Sequence, residues 1–139
     1  MTPRTKAVDV LPDGRHRQVA YGDFQTPPGL AQDVCQMLGD QRPRTIVEPT
    51  CGTGTFLAAA IRRFPGARRA LAFDVNAQYV AAARQCIAQI PCISQIPMRI
   101  DSEIRVGDFF RKDWRSVLSR CADPILIIGN PPRVNNAIA

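Results

Sequence analysis

The pattern of apolar and polar positions predicts a chain of alternating strands and helices. Short apolar runs typical of strands occur at four places: 45–48, 70–73, 104–106 and 124–129. Longer segments repeat their apolar residues at helical spacing: 27–38, 55–64, 77–90 and 113–121. This alternation predicts right-handed βαβ units, a parallel sheet and therefore an α/β fold.

Individual segments make sharper predictions. Thr26 is expected to cap the first helix, with Pro27 and Pro28 at its first positions and Gly39 after its end. The buried face of that helix is predicted to contain Leu30, Val34, Met37 and Leu38. The unbroken apolar run 124–129 is typical of a strand buried on both faces of a parallel sheet.

Composition narrows the class of protein. Residues 1–20 hold prolines and scattered charges without periodicity, and predict a flexible arm that precedes a domain over 21–139. The net charge of +6 comes mainly from arginine and suits a polyanionic partner. The N-terminus lacks the apolar core of a signal peptide, and no apolar run is long enough for a membrane span, so a cytoplasmic location is expected. Five cysteines without a C-x-x-C pair and a single histidine predict no metal site.

Polar residues follow each predicted strand. Glu48 to Gly54, Asp74, Gly107 to Phe109 and Asn130 to Arg133 all come where an apolar run ends. Because ligands of parallel sheets bind at the carboxyl ends of the strands, we expect these four loops to form one site.

The turn that contains Gly52 and Gly54 is typical of a nucleotide-like cofactor, although Leu57 stands where a dinucleotide motif has its third glycine. Asp74 is placed to accept hydrogen bonds from a ribose diol, which suits both NAD and S-adenosylmethionine. Glu48 would repel a pyrophosphate but could face an ammonium or sulfonium group. The residues therefore favour the cationic cofactor.

Asn130-Pro131-Pro132 gives the most specific chemical prediction. Two successive prolines hold a rigid turn that presents carbonyl oxygen and lacks N–H donors. The Asn130 side chain and the Pro131 carbonyl could both accept hydrogen bonds from one amino group, which would make its nitrogen more nucleophilic toward a methyl sulfonium.

Taken together, YGDFQTPPGLA, VEPTCGTGTFL, FDVN, VGDFF and IGNPPRV resemble the motifs of S-adenosylmethionine-dependent adenine-N6 DNA methyltransferases of restriction and modification systems. The order of the segments is that of the gamma arrangement, and the resemblance covers about residues 21 to 136. It implies a Rossmann-like class I methyltransferase fold with flanking helices. It also implies a DNA adenine flipped into the site.

The resemblance assigns roles to matching residues. The amine-binding and catalytic positions are Asn130, Pro131, Pro132 and Arg133. The positions that bind the cofactor are Phe24, Gln25, Thr26, Pro27, Glu48, Pro49, Cys51, Gly52, Gly54, Phe56, Asp74, Val75, Asp108, Phe109 and Asn130.

Two departures from the family pattern keep alternatives open. Arg133 stands where the family usually has an aromatic residue, and the chain ends after the predicted fourth strand, which suggests a truncated domain that self-associates or pairs with a second chain. A non-catalytic cofactor- or DNA-binding remnant is therefore an alternative. Protein-glutamine or RNA-amine methyltransferases and an NAD-dependent oxidoreductase are further alternatives.

Overall fold

The computed structural model describes residues 7–10, 16–19, 25–91 and 100–131, the first two ranges by their backbone alone. Phe24, Pro132 and Arg133, to which the sequence assigns roles, lie outside these residues. The chain divides into two units, one of residues 1–24 with 131–139 and one of residues 25–130.

The first unit contains a two-stranded antiparallel sheet. Strands β1 (Ala7–Val10) and β2 (His16–Val19) pair with Ala7 opposite Val19. The sequence analysis assigned no strands to this part of the chain, and the structure adds these two. Each strand has only four residues, too few for their alternation to stand out from the surrounding charges and prolines.

The second unit is a parallel sheet flanked by helices. Its strands, in the order β5-β4-β3-β6, are β3 (Thr45–Glu48), β4 (Arg69–Asp74), β5 (Asp101–Val106) and β6 (Ile125–Ile127), and all neighbouring pairs are parallel. The helices are α1 (Pro28–Gln36), α2 (Thr55–Arg63), α3 (Ala77–Ala88) and α4 (Trp114–Ser119). The predicted α/β class is confirmed.

Alternate residues of the strands enter two apolar layers. Ile46 packs in a core with Leu57 of α2 and Val80 of α3, whereas its neighbour Val47 packs on the other face of the sheet. On that second face α4 and the residues just after it contribute the side chains that the sequence placed on one apolar side: Trp114, Val117, Leu118 and Cys121.

Helix α1 differs from its prediction. Pro27, not Thr26, occupies the N-cap position, and no side chain caps the helix. Ala31 and Cys35 are buried, whereas Leu30 is 51% exposed and Met37 is 83% exposed. The buried stripe follows small side chains because α1 packs against α2, where small residues allow a close approach.

Strand β6 is shorter and more exposed than predicted. It pairs with β3 alone among the described strands, and Ile127 is 55% exposed. Ile125 and Leu126 pack against the two opposite apolar layers, but both are only half-buried, so the strand is less buried than predicted. The expected apolar strand at an uncovered edge is present in the described part of the sheet.

Candidate cofactor site

The turn between β3 and α2, residues 51–54, requires glycine at two positions. Gly52 has φ +52° and Gly54 has φ +88°, both in the left-handed region that favours glycine. A Cβ on Gly54 would lie 3.0 Å from the Cα of Ala83 in α3. These glycines therefore let the turn curve tightly and let α3 approach it.

Every backbone N–H group of this glycine turn has an acceptor within the chain. The N–H of Gly52 donates to Oδ2 of Asp74 at 2.9 Å, and that of Thr53 donates to Oε1 of Gln25 at 3.2 Å. The N–H of Cys51 donates to the Phe73 carbonyl at 2.8 Å, and that of Gly54 donates to the Cys51 carbonyl at 2.9 Å. A pyrophosphate is normally held by free N–H groups at such a turn, and here none is offered without displacing an internal partner.

Glu48 lies at the mouth of the glycine turn, 2% exposed, and its Oε2 atom has no hydrogen-bond partner among the described residues. Burial, followed by the nearby Asp74 carboxylate, raises its pKa to about 9, although the Leu57 N–H acts in the opposite direction. The side chain therefore holds its proton near neutral pH unless a cation comes close. The sequence interpretation assumed that the Glu48 carboxylate is charged. Because the group is buried, we expect it to be charged only when a cationic ligand is bound.

Gly129 is a site residue that the sequence interpretation missed. Its φ is +152°, and a Cβ at this position would lie 3.3 Å from Cγ of Glu48. The end of β6 therefore covers the buried carboxyl group directly. The available sequence signal was a glycine at the end of the apolar run, directly before Asn130.

Asp74 organises the end of β4. Its Oδ1 accepts from the N–H of Asn76 and its Oδ2 from Gly52, both at 2.9 Å. Each carboxylate oxygen has a second lone pair, so these bonds leave acceptor capacity for a diol. Val75 follows at 66% exposure, which leaves its side chain open to a ligand.

The loop after β5 joins the same edge, since the Gly107 N–H donates to the Asp74 carbonyl at 2.9 Å. Asp108 Oδ1 accepts from the Phe110 N–H at 2.9 Å. Phe109 is half-buried against the Phe110 and Trp114 rings, with centroids 5.1 and 5.8 Å away. Phe110, which the sequence interpretation passed over, is 63% exposed and presents the freer aromatic face.

Asn130 is exposed, and its carbonyl accepts from the Thr50 hydroxyl at 3.5 Å. The end of β6 and the glycine turn are therefore adjacent.

Cys51 is buried, and burial together with the Glu48 and Asp74 carboxylates raises the pKa of its thiol to about 12. It lines the site as an unreactive side chain.

The other predicted cofactor-binding residues differ in burial. Phe56 is 7% exposed and belongs to the apolar core. Pro49 and Thr26 are half-buried, and Pro27 is exposed. The structure thus brings together Gln25, Glu48, Gly52, Asp74 and Asn130, with Gly129 added.

A parallel sheet with a glycine turn, an acidic residue at the end of each of two central strands and a polar loop after the edge strand is the arrangement of the Rossmann-like class I methyltransferase fold. Solved structures with this fold include an O-methyltransferase from Bacillus cereus in complex with SAH (TM-score 0.56, 16% identity, 76% of this chain and 46% of that one). Another is the ribosomal RNA methyltransferase AviRa from Streptomyces viridochromogenes (TM-score 0.55, 20% identity, 79% and 61%). A third is the methyltransferase subunit of a type I restriction-modification system from Streptococcus thermophilus (TM-score 0.54, 20% identity, 78% and 24%).

The sequence is also similar to type II methyltransferases. The chain is 39% identical over 123 residues to the type II methyltransferase M.NspV of a Nostoc species, a match of 86% of this chain and 24% of the relative. It is 30% identical over 123 residues to M.XamI of Xanthomonas campestris pv. amaranthicola, which covers 87% of this chain and 21% of the relative. The predicted relation to these enzymes is confirmed.

The chain spans about a quarter of the length of these curated relatives. No protein-family model matches it. Among the residues that the structure describes, no helix is long and apolar enough to cross a membrane.

Proposed function

We propose that this chain is part of a DNA methyltransferase that transfers a methyl group from S-adenosylmethionine to the N6 amine of adenine. The observation that carries the proposal is the position of Asn130 beside the glycine turn, since Thr50 of that turn region binds its carbonyl and Gly129 covers Glu48. An acceptor for an amine and a pocket for a cationic cofactor thus share one edge of the sheet.

The described residues fit this cofactor. Glu48 offers an unpartnered oxygen to a positive charge, and the Asp74 carboxylate retains acceptor capacity for a ribose diol. Val75 and Phe110 expose apolar surface on the loops that follow β4 and β5, where an adenine ring could pack. Gln25 contacts the turn through Thr53, as expected for a residue beside the methionine end.

The cofactor supplies an electrophilic methyl group on a sulfonium. The residues of the chain would hold the amine nitrogen in line with that methyl group and accept hydrogen bonds from the amine N–H groups. The Asn130 side-chain oxygen would accept from the amine, so that its nitrogen lone pair points toward the carbon. In the transfer, a nitrogen–carbon bond would replace the carbon–sulfur bond of the cofactor, and the proton displaced from nitrogen would leave to solvent.

The hydrogen-bonded turn also bears on the oxidoreductase alternative. NAD would place a pyrophosphate where every turn N–H already has an acceptor and where Asp74 contributes a carboxylate. Unfavourable electrostatics and lost internal bonds both disfavour this ligand. The remnant alternative keeps the same cofactor site and differs only in lacking methyl transfer.

A methyl-transfer assay tests the proposal. The chain is incubated with S-adenosylmethionine labelled on its methyl group and with mixed-sequence duplex DNA, and the nucleosides are separated after digestion. We expect label in N6-methyldeoxyadenosine, and its loss in Asn130→Ala with cofactor affinity retained. Label only in N4-methyldeoxycytidine would refute the adenine assignment, and cofactor binding without any transfer would support the remnant.

A further inference from the structure

A cluster of arginines lies at the end of the sheet opposite the cofactor site. Arg44 immediately precedes β3, Arg63 ends α2, and Arg69 begins β4. The residues 39–44 and 62–69 hold six arginines and one aspartate, a net charge of +5 against +6 for the whole chain. Almost all of the excess positive charge of the sequence is therefore concentrated on these two segments.

Three of these arginines, Arg42, Arg44 and Arg63, line an open cleft of about 520 Å³ formed by residues 40–44 and 63–67, which we call the amino-edge cleft. Arg63 is fixed in its wall, because its guanidinium donates to the Gly39 carbonyl and lies 4.9 Å from the centroid of the Phe64 ring. A Cβ on Gly66 would meet nothing within 4 Å, so this side of the cleft faces open space.

Three of these arginines have no ion-pair partner among the described residues. Arg42, Arg44 and Arg62 are exposed and form no ion pair with any carboxylate in the described part of the chain, whereas Arg69 pairs with Glu103 at 3.6 Å. The backbones of Arg44 and Arg68 are joined, since the Arg68 N–H donates to the Arg44 carbonyl at 2.9 Å. Like charges held this close repel one another, and a polyanion would relieve that repulsion.

We propose that the amino-edge cleft binds phosphate groups of a nucleic-acid backbone, as a contact separate from the cofactor edge. Guanidinium groups pair with phosphate oxygens through two parallel hydrogen bonds, which favours arginine over lysine at such sites. The cleft is much larger than one phosphate, and its arginines come from separate segments, an arrangement that suits successive phosphates of a strand. The inference goes beyond methyl transfer and does not depend on the cofactor.

The test measures binding of a fluorescent duplex to the full chain without cofactor, by anisotropy at several salt concentrations. The variant is Arg42→Gln with Arg44→Gln, and the matched control is Arg115→Gln with Arg120→Gln, two exposed arginines in and after α4. Each pair removes the same charge, so a general effect of net charge appears equally in both. Urea unfolding of both variants confirms that they fold.

We expect the first variant to bind at least tenfold more weakly at about 0.1 M salt. The slope of log affinity against log salt should fall by about 2, because each lost phosphate contact removes roughly 0.9. The control should keep the slope of the unmodified chain. Equal losses in the two variants, or full competition by polyglutamate at constant ionic strength, would overturn the proposal.

Discussion

Replacing Glu48 by glutamine should remove a strong pH dependence of stability. The carboxyl group is 2% exposed, and burial raises its pKa from 4.5 to about 9. Between these values the folded chain keeps a proton that the unfolded chain has released. Stability is therefore highest at acidic pH and falls as the pH rises toward the folded pKa.

The size of the effect follows from the shift. Each pH unit inside this window costs about 1.4 kcal/mol, so the loss between about pH 5 and pH 8 is about 4 kcal/mol. That loss is a large part of the roughly 5–15 kcal/mol by which domains are usually stable. In the Glu48→Gln variant, the amide would mimic the protonated carboxyl group in shape and charge, and its oxygen can still accept from the Leu57 N–H.

The assay is urea unfolding of Glu48→Gln and of the unmodified chain at a series of pH values. We expect equal stability near pH 5 and a difference of about 4 kcal/mol in favour of Glu48→Gln near pH 8. Glu103→Gln serves as the control, because Glu103 is partly exposed and pairs with arginines at the surface. Parallel curves for Glu48→Gln and the unmodified chain would refute a protonated buried Glu48.

Three further outcomes can be measured. Binding of S-adenosylmethionine near pH 7.5 should release up to one proton as Glu48 ionises beside the cation, seen by calorimetry in buffers of different ionisation enthalpy; equal heats would contradict this. Gly54→Ala should cost about 2 kcal/mol or more in urea unfolding, because φ is +88° and the new Cβ meets Ala83 at 3.0 Å; a neutral change would contradict the close approach. Asn76→Ala should cost about 1 kcal/mol, since its side chain caps α3 through two backbone N–H groups; Gln78→Ala at an exposed position is the control.

Local chemistry made much of the second unit predictable. The apolar runs predicted the positions of β3 and β4 closely. Asn76 predicted the start of α3, because its side chain accepts a hydrogen bond from the nearby Gln78 N–H and needs no distant partner. The polar residues after the strands met at one edge because parallel strands all end there. The glycine turn at Gly52 and Gly54 could also be predicted, because a positive φ is a local requirement of the backbone.

Features that depend on tertiary packing could not be predicted in this way. The face that α1 buries is set by its contact with α2, so Leu30 and Met37 were misplaced. The ionisation of Glu48 depends on burial under Gly129, which lies far away in the sequence. The partners of the turn N–H groups depend on Gln25, which only the folded chain brings beside Thr53.

The most direct test of the account follows backbone amide NMR shifts while S-adenosylmethionine or NAD is added to the chain. The account predicts that S-adenosylmethionine shifts the amides of Gly52, Asp74 and Asn130 and leaves that of Arg44 unchanged, and that NAD shifts none of them. Shifts at the glycine turn with NAD, or shifts with S-adenosylmethionine confined to other parts of the chain, would contradict it.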